Sequence, residues 1–94
     1  FGVVQVNGDG NTVVANHVAL IIPPERLHPA GVVPTVFRIR RGDQNVVGAN
    51  HVVSNLELMT VYLDAETTNS HVFDSGAESQ FHSDSESFGF RPTP

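Results

Sequence analysis

Five histidines are the first residues in this sequence whose type could do chemistry, because converging imidazoles bind zinc or copper. His17 and His51 occupy equivalent places in two copies of Ala-Asn-His-Val, while His28, His71 and His82 lie in other contexts. No His-x-His pair and no His-Glu-x-x-His motif places two of them on one face. We therefore expect His17 and His51 to form local hydrogen bonds in a partly buried sheet, and we expect no metal site. A small metal-binding protein or metal-dependent enzyme is our last-ranked alternative.

Side-chain oxygens alternate at Asn7, Asp9 and Asn11, and this spacing resembles the first half of a calcium-binding loop. The sixth position of that loop is Thr12, where calcium loops carry glycine. The twelfth position is Val18, where they carry a bidentate glutamate. Because Asn, Asp and Gly tolerate positive φ, the segment is better explained as a tight hairpin turn.

Three carboxylates, Asp64, Glu66 and Glu57, could form an acid/base pair of the kind that glycoside hydrolysis requires. Such a pair must face a sugar across a cleft, and a domain of 94 residues has little room for one. The sequence also lacks a Gly-x-Ser-x-Gly motif and a glycine-rich phosphate loop. We therefore predict no catalytic residues, no cofactor and no enzymatic activity.

The tripeptide Arg41-Gly42-Asp43 is used by many integrin ligands, and in this chain it falls on a predicted hairpin tip. Arg41, Gly42 and Asp43 are accordingly our candidate receptor contacts. They motivate a second candidate function, a cell-surface receptor- or carbohydrate-binding β module. Such a module would use either the Asp43 hairpin or the loop at residues 23–31.

An internal echo indicates how these residues are positioned. Residues 8–18 return 34 positions later as residues 42–52, with 8 of the 11 residues identical. A turn that leads into a β-rich segment is therefore present twice, and such repeats determine the architecture. A two-repeat solenoid is disfavoured, because stable stacking usually needs three or more repeats.

Short runs of Val, Ile, Thr, Phe and Leu, broken by Gly, Pro, Asn and Asp, are typical of β-strands. They favour an all-β fold, a small antiparallel β-sandwich or barrel of about six strands, with an extended C-terminal arm. The predicted strands are 2–7, 11–22, 35–40, 45–53, 56–63 and 67–73.

The composition changes at Asp74, after which Ser, Asp, Glu and Gly dominate. We therefore divide the chain into a single β domain at 1–73 and a Ser-rich acidic tail or arm at 74–94. A purely solvated tail would not carry the aromatic side chains found there, which an arm docked on a neighbouring subunit would use. The first residues form a short apolar strand that could be donated to a neighbour's sheet edge. The candidate partner contacts are Phe1, Val3, Val4, Phe81, Phe88 and Phe90.

Charge and length limit the partners further. The net charge is −5 and the basic side chains are all Arg, which argues against nucleic acid. No stretch reaches the ~20 apolar residues that span a bilayer. The chain starts at Phe1 without Met, which fits a mature secreted protein or a polyprotein fragment. We expect an extracellular or virion location.

These observations together favour a structural assembly protein, a subunit of a viral coat or an extracellular filament. The domain is small, it has no Cys for disulfides, and a long predicted strand is apolar on both faces. Other copies of the chain or companion structural subunits would then supply the missing stabilisation.

Overall fold

The computed structural model describes residues 2–21, 34–55 and 57–93. Within these ranges the chain forms ten β-strands and a short 3-10 turn at Glu78–Gln80. The strand pairs among them are all parallel. The strands are β1 (Gly2–Asn7), β2 (Thr12–Val14), β3 (His17–Leu20), β4 (Thr35–Asp43), β5 (Val46–Gly48), β6 (His51–Ser54), β7 (Met59–Thr68), β8 (Ser70–Phe73), β9 (Phe81–Ser83) and β10 (Phe88–Arg91).

The strands stack into three sheets around a common axis. Sheet A has the order β1, β4, β7, β9, and sheet B has the order β2, β5, β8, β10. Sheet C contains β3 and β6. Each turn of the chain, which we call a rung, adds one strand to sheet A and one to sheet B. The first two rungs also add one strand each to sheet C, so the described chain forms a four-rung parallel β-helix.

The internal echo corresponds to two consecutive rungs. Thr12 lies opposite Val46, and His17 lies opposite His51, so residues 34 apart in the chain face each other. The two copies of the echo thus occupy corresponding places in neighbouring rungs. The echo marks in-register stacking, in which identical residues occupy the same corner of neighbouring rungs.

Two buried asparagines hold the first two rungs together at their corners. The Asn45 side chain accepts a hydrogen bond from the backbone N–H of Asn11 at 2.8 Å and donates one to the carbonyl of Gly8 at 2.8 Å. Asn50 likewise accepts from the backbone N–H of Asn16 at 3.0 Å. Because the side chains replace missing ladder bonds, corner backbone groups remain paired away from water.

The core consists of inward-facing rows that run along the axis of the helix. Each row takes one apolar residue from each of three or four successive rungs, because the strands are parallel and in register. The rows are Val4, Phe37, Val61 and Phe81; Val6, Ile39 and Leu63; and Val13, Val47, Val72 and Phe90.

The predicted antiparallel sandwich or barrel is wrong, because the strands are parallel and coil as a β-helix. Local alternation identifies a strand but does not reveal its partner. The Asn-Gly-Asp-Gly segment at 7–10 turns the chain at a corner and does not form a hairpin. The predicted strand at 11–22 divides into β2 and β3, with Ala15 at φ 57 between them.

The predicted C-terminal arm is also wrong for the segment that carries the phenylalanines. β9 pairs with β7, and β10 pairs with β8, so both strands belong to the fourth rung. The rings of Phe81 and Phe90 stack with centroids 4.1 Å apart. Because the rings pack against the core, this acidic segment obtains apolar burial that its average composition conceals.

Two β-bulges interrupt the register of sheet A, each adding one residue to a strand. Val6 lies opposite Ile39, but Asn7 lies opposite Arg41, so β4 carries an extra residue relative to β1. Relative to β4, β7 also carries an extra residue, because Ile39 lies opposite Leu63 whereas Arg41 lies opposite Glu66. These two bulges lie at the same height of the sheet.

Among the described residues, no helix is long and apolar enough to cross a membrane.

Candidate functional site

A set of charged and aromatic side chains meets on sheet A, and we call it the polar cluster: Arg38, Tyr62, Asp64, His82 and Asp84. Register explains why they meet, since Arg38 on β4 lies opposite Tyr62 on β7, and Tyr62 lies opposite His82 on β9. Along each strand these side chains alternate with core residues such as Leu63. They therefore lie on the face of sheet A that is turned away from the core.

Tyr62 is at the centre of the cluster. Its ring lies between the guanidinium of Arg38, at 5.1 Å from the ring centroid, and the imidazole of His82, at 4.9 Å between centroids. Its hydroxyl donates a hydrogen bond of 2.6 Å to Oδ2 of Asp84. Nε2 of His82 lies 2.9 Å from Oδ1 of the same carboxylate. The two oxygens of Asp84 are therefore held by two side chains from adjacent strands.

Both carboxylate oxygens of Asp64 are also held by hydrogen bonds, here from a single side chain. Arg38 binds it through two nitrogens, Nε to Oδ1 at 3.0 Å and Nη2 to Oδ2 at 3.1 Å. Such a paired bond fixes the guanidinium plane as well as its charge. The Asp64 side chain is 20% exposed, against 45% for Asp84. Solvent therefore reaches Asp84 more readily.

The hydrogen bonds of the cluster shift its proton affinities. The bond from Tyr62, followed by that with His82, holds the pKa of the Asp84 carboxyl below its ordinary value of 3.8. The same bond raises the pKa of the Tyr62 phenol above its ordinary value of 10.0. At neutral pH the cluster thus presents an ionised carboxylate and a protonated phenol. These groups suit hydrogen bonding to a ligand rich in hydroxyls.

The two histidines of the echo, His17 and His51, do meet, but no third metal-ligating side chain among the described residues joins them. His17 and His51 are exposed neighbours in sheet C, with ring centroids 5.2 Å apart and an interplanar angle of 80°. His71 is exposed on β8, and His28 lies outside the described residues. Within the described ranges, no three His, Asp or Glu side chains are placed to hold a metal ion.

The other candidate carboxylates are separated. Asp64 belongs to the polar cluster, whereas Glu66 faces Arg41 at 3.9 Å in an exposed pair. Glu57 is exposed before β7. The three carboxylates are therefore not assembled as an acid/base group, and the second carboxylate of the polar cluster is Asp84.

The tripeptide Arg41-Gly42-Asp43 forms the end of β4 and not a hairpin tip. The Asp43 carboxylate accepts hydrogen bonds from Asn69 at 2.9 Å and from Thr68 at 2.8 Å. These bonds, with Asn69 first, lower the pKa of Asp43 below its ordinary value. A receptor would have to compete with both donors, and the receptor contact stays a prediction.

The predicted partner contacts have different environments. Val3 and Phe88 are exposed at 46% and 40%, so both remain available to a partner. Val4, Phe81 and Phe90 pack against the core. Phe1 lies outside the described residues. Their role in contacting a partner stays a prediction.

No local motif marks the polar cluster, because its members come from three separate stretches of sequence. Arg38 lies 24 residues before its partner Tyr62, and Tyr62 lies 20 residues before its partner His82. The only repeat visible by eye has a period of 34. Aligning the inward apolar rows of β4, β7 and β9 would have brought Arg38, Tyr62 and His82 together.

Comparison with known proteins reveals a consistent likeness along the whole chain. A family model described as the beta helix repeat of inulin fructotransferase matches residues 1–94. An inulin fructotransferase [DFA-I-forming] of Arthrobacter globiformis is 35% identical over 94 residues, which are 100% of this chain and 24% of that protein. This chain thus spans about a quarter of the length of that curated relative.

Solved structures show the same likeness in the fold. The DFA-IIIase of Arthrobacter chlorophenolicus A6 without its lid, in complex with GF2, superimposes with a TM-score of 0.89 at 31% identity. The match covers 99% of this chain and 22% of that one. The same enzyme in complex with GF2 gives 0.89 at 28% identity, over 99% of this chain and 24% of that one.

These likenesses overturn several functional predictions. The relatives are enzymes by name, so the predicted viral coat or filament subunit is wrong, and the prediction of no enzymatic activity is contradicted by this likeness. The two alternatives, a receptor- or carbohydrate-binding module and a small metal-binding protein, are not the class that these relatives indicate. The bacterial relatives are consistent with an extracellular location and give no support to a virion.

Proposed function

Because the chain belongs to the family described as the beta helix repeat of inulin fructotransferase, we propose that it forms part of an enzyme that transfers fructosyl groups of inulin-type fructans. The observation that carries this proposal is the match along all 94 residues, in sequence and in fold, to enzymes of that kind. A polymer substrate also favours an extracellular place of action.

The polar cluster is the part of this chain that we propose contacts sugar. Fructosyl transfer breaks one bond between the anomeric carbon and oxygen and forms another, while a proton moves from the acceptor hydroxyl to the leaving oxygen. Positive charge develops at the anomeric carbon on the way. The ionised carboxylate of Asp84 can stabilise that charge, and Tyr62 and Arg38 can fix sugar hydroxyls.

Side-chain preorganisation supports this role. Asp84 is held on both oxygens, and Tyr62 is held between Arg38 and His82, so little reordering is needed when a sugar arrives. The side chains of Asp84 and His82 are nearly half exposed, so a ligand reaches them from solvent.

The proposal is tested by incubating the purified protein that contains this chain with inulin and separating the products by chromatography. Wild-type protein should release small fructose-containing products, and Asp84→Asn should reduce kcat/KM by about tenfold or more. The matched control is Glu86→Gln, an exposed carboxylate two residues along the chain, which should keep wild-type activity. Unchanged inulin in the wild-type reaction would refute the proposed activity.

We also propose that other copies of the chain are its partners, since Val3 and Phe88 stay exposed in the rungs at opposite ends. Sedimentation of the purified protein as a monomer at high concentration would contradict this.

A further inference from the structure

A cavity of about 670 Å³ lies where sheet C ends after two strands. In the third rung the chain passes from β8 through residues 74–77 to the 3-10 turn and adds no strand below β6. Among the described residues, none fills the space beside β6. A volume of this size is within the range of ligand-binding cavities. Its walls include Asn50, His51, Leu58, Asp74, Ser75 and Gln80.

The walls of the cavity are anchored by hydrogen bonds. The Ser75 hydroxyl accepts from Nδ2 of Asn50 at 3.1 Å and donates to the carbonyl of Phe73 at 3.1 Å. Gly76 is bound twice by Thr93, whose hydroxyl accepts at 2.9 Å and whose N–H donates at 3.0 Å. The opening is therefore a fixed feature of the third rung.

The chemistry of the lining selects for a neutral ligand with many hydroxyls. Most of the polar groups are hydroxyls and amides, and apolar side chains such as Leu58 and Val52 contribute to the wall. Among the described lining residues, the ionisable side chains are His51 and Asp74, with no Arg to pair an anion. A phosphorylated or carboxylated ligand would meet the Asp74 carboxylate and is disfavoured. A sugar residue would find donors and acceptors over an apolar patch.

The cavity adjoins the polar cluster. Gln80 lines the cavity, and His82 of the polar cluster is two residues further along the chain. On β7, Thr60 lines the cavity, and Tyr62 of the polar cluster is likewise two residues further along. Two residues of extended strand span about 7 Å, which is roughly the length of one sugar unit. Thr60 also donates to the Gln80 side chain at 3.3 Å, so these neighbouring strands join at the boundary.

We propose that the cavity is a sugar subsite that continues the polar cluster, so that one furanose residue occupies the cavity while the next contacts Tyr62 and Asp84. This inference rests on the proposed function, because it takes a fructan as the ligand. In this arrangement the third rung holds the fructan chain at a place separate from the bond that reacts.

The test blocks the cavity without touching the cluster. Ala77 is exposed at the cavity wall, with φ −74 and ψ 159, so Ala77→Phe fits the backbone and places a ring in the opening. Ala65→Phe makes the same change at an exposed position of β7 that does not line the cavity. Binding of inulotriose to the purified protein is measured by calorimetry, with circular dichroism confirming the fold.

Ala77→Phe should weaken inulotriose binding at least tenfold, and Ala65→Phe should stay within twofold of wild type. Asp74→Asn is a second variant with the same shape, and Asn tolerates the φ of 52 at this position. It should weaken binding about threefold or more. Wild-type affinity in both Ala77→Phe and Asp74→Asn would overturn the subsite, as would equal weakening by Ala65→Phe.

Binding and turnover separate this inference from the proposed function. If wild-type protein binds inulotriose and Ala77→Phe does not, but inulin stays unchanged, the subsite stands and the proposed activity fails. If inulin is converted by Ala77→Phe with the KM of wild type, the activity stands and the subsite fails.

Discussion

Replacement of Gly42 by alanine should separate the first two rungs. Gly42 has φ +128, which residues with a side chain rarely adopt, and it lies directly against the neighbouring rung. A Cβ atom at this position would overlap the backbone carbonyl of Gly8 and lie 2.8 Å from Nδ2 of Asn45. Neither the carbonyl nor the buried amide can move without breaking the bonds it makes.

The size of the effect follows from these contacts. The unfavourable φ costs about 1–3 kcal/mol. To relieve the overlap, the strands must move apart and lose the bond from Gly8 N–H to the Arg41 carbonyl, 3.0 Å, and that from Asn45 to the Gly8 carbonyl, 2.8 Å. Each contributes about 1 kcal/mol. We expect the free energy of unfolding to fall by about 3–5 kcal/mol.

Urea denaturation followed by circular dichroism measures this loss, and Gly10→Ala is the matched control. Gly10 has φ +66, and nothing lies within 4 Å of the position a Cβ would take. Alanine there should cost about 1–2 kcal/mol, the ordinary penalty for a left-handed residue. Equal destabilisation by the two variants would refute the argument, because backbone strain alone would then explain both.

Three further outcomes follow from the described contacts. Asn45→Ala removes both corner bonds and should lower the free energy of unfolding by about 2–4 kcal/mol in urea titrations, whereas Gln5→Ala, on an exposed face, should stay within about 0.5. Leu63→Ala should cost about 2–5 kcal/mol by the same assay, since the side chain is 0% exposed. Tyr62→Phe should raise the pKa of Asp84 towards 3.8, seen by carbon NMR of the carboxyl. Because the folded-state pKa of Asp84 is depressed, its contribution to stability is present above pH 3.8 and is lost as the pH falls through the folded value.

The strand content was readable from the sequence, but the strand partners were not. β1 begins and ends where the alternation of Val3 to Asn7 predicted it. The echo at residues 8–18 and 42–52 was also seen, yet it was not extended to a third rung. Later rungs repeat at shorter spacings, with Thr35 opposite Met59 and Val61 opposite Phe81, so identity fades while the inward apolar row persists.

The polar cluster could not be predicted for the same physical reason. Arg38, Tyr62 and His82 are consecutive along the axis of the helix, but each is alone in its own stretch of sequence. Parallel pairing through long crossovers joins residues that no local pattern relates. Asp84 was assigned to an acidic tail because Ser and Asp around it conceal the short apolar strands that hold it.

The bulges in β4 and β7 give the fold a point at which a segment can be attached. Both lie just beyond Arg38 and Tyr62, at one height of sheet A, and each accommodates an added residue while the strands downstream remain aligned. A short peptide inserted after Ala65 would thus leave the apolar rows intact and project beside Asp64. This site is suited to carrying a fluorescent reporter or a grafted segment without disturbing the stacking of the rungs.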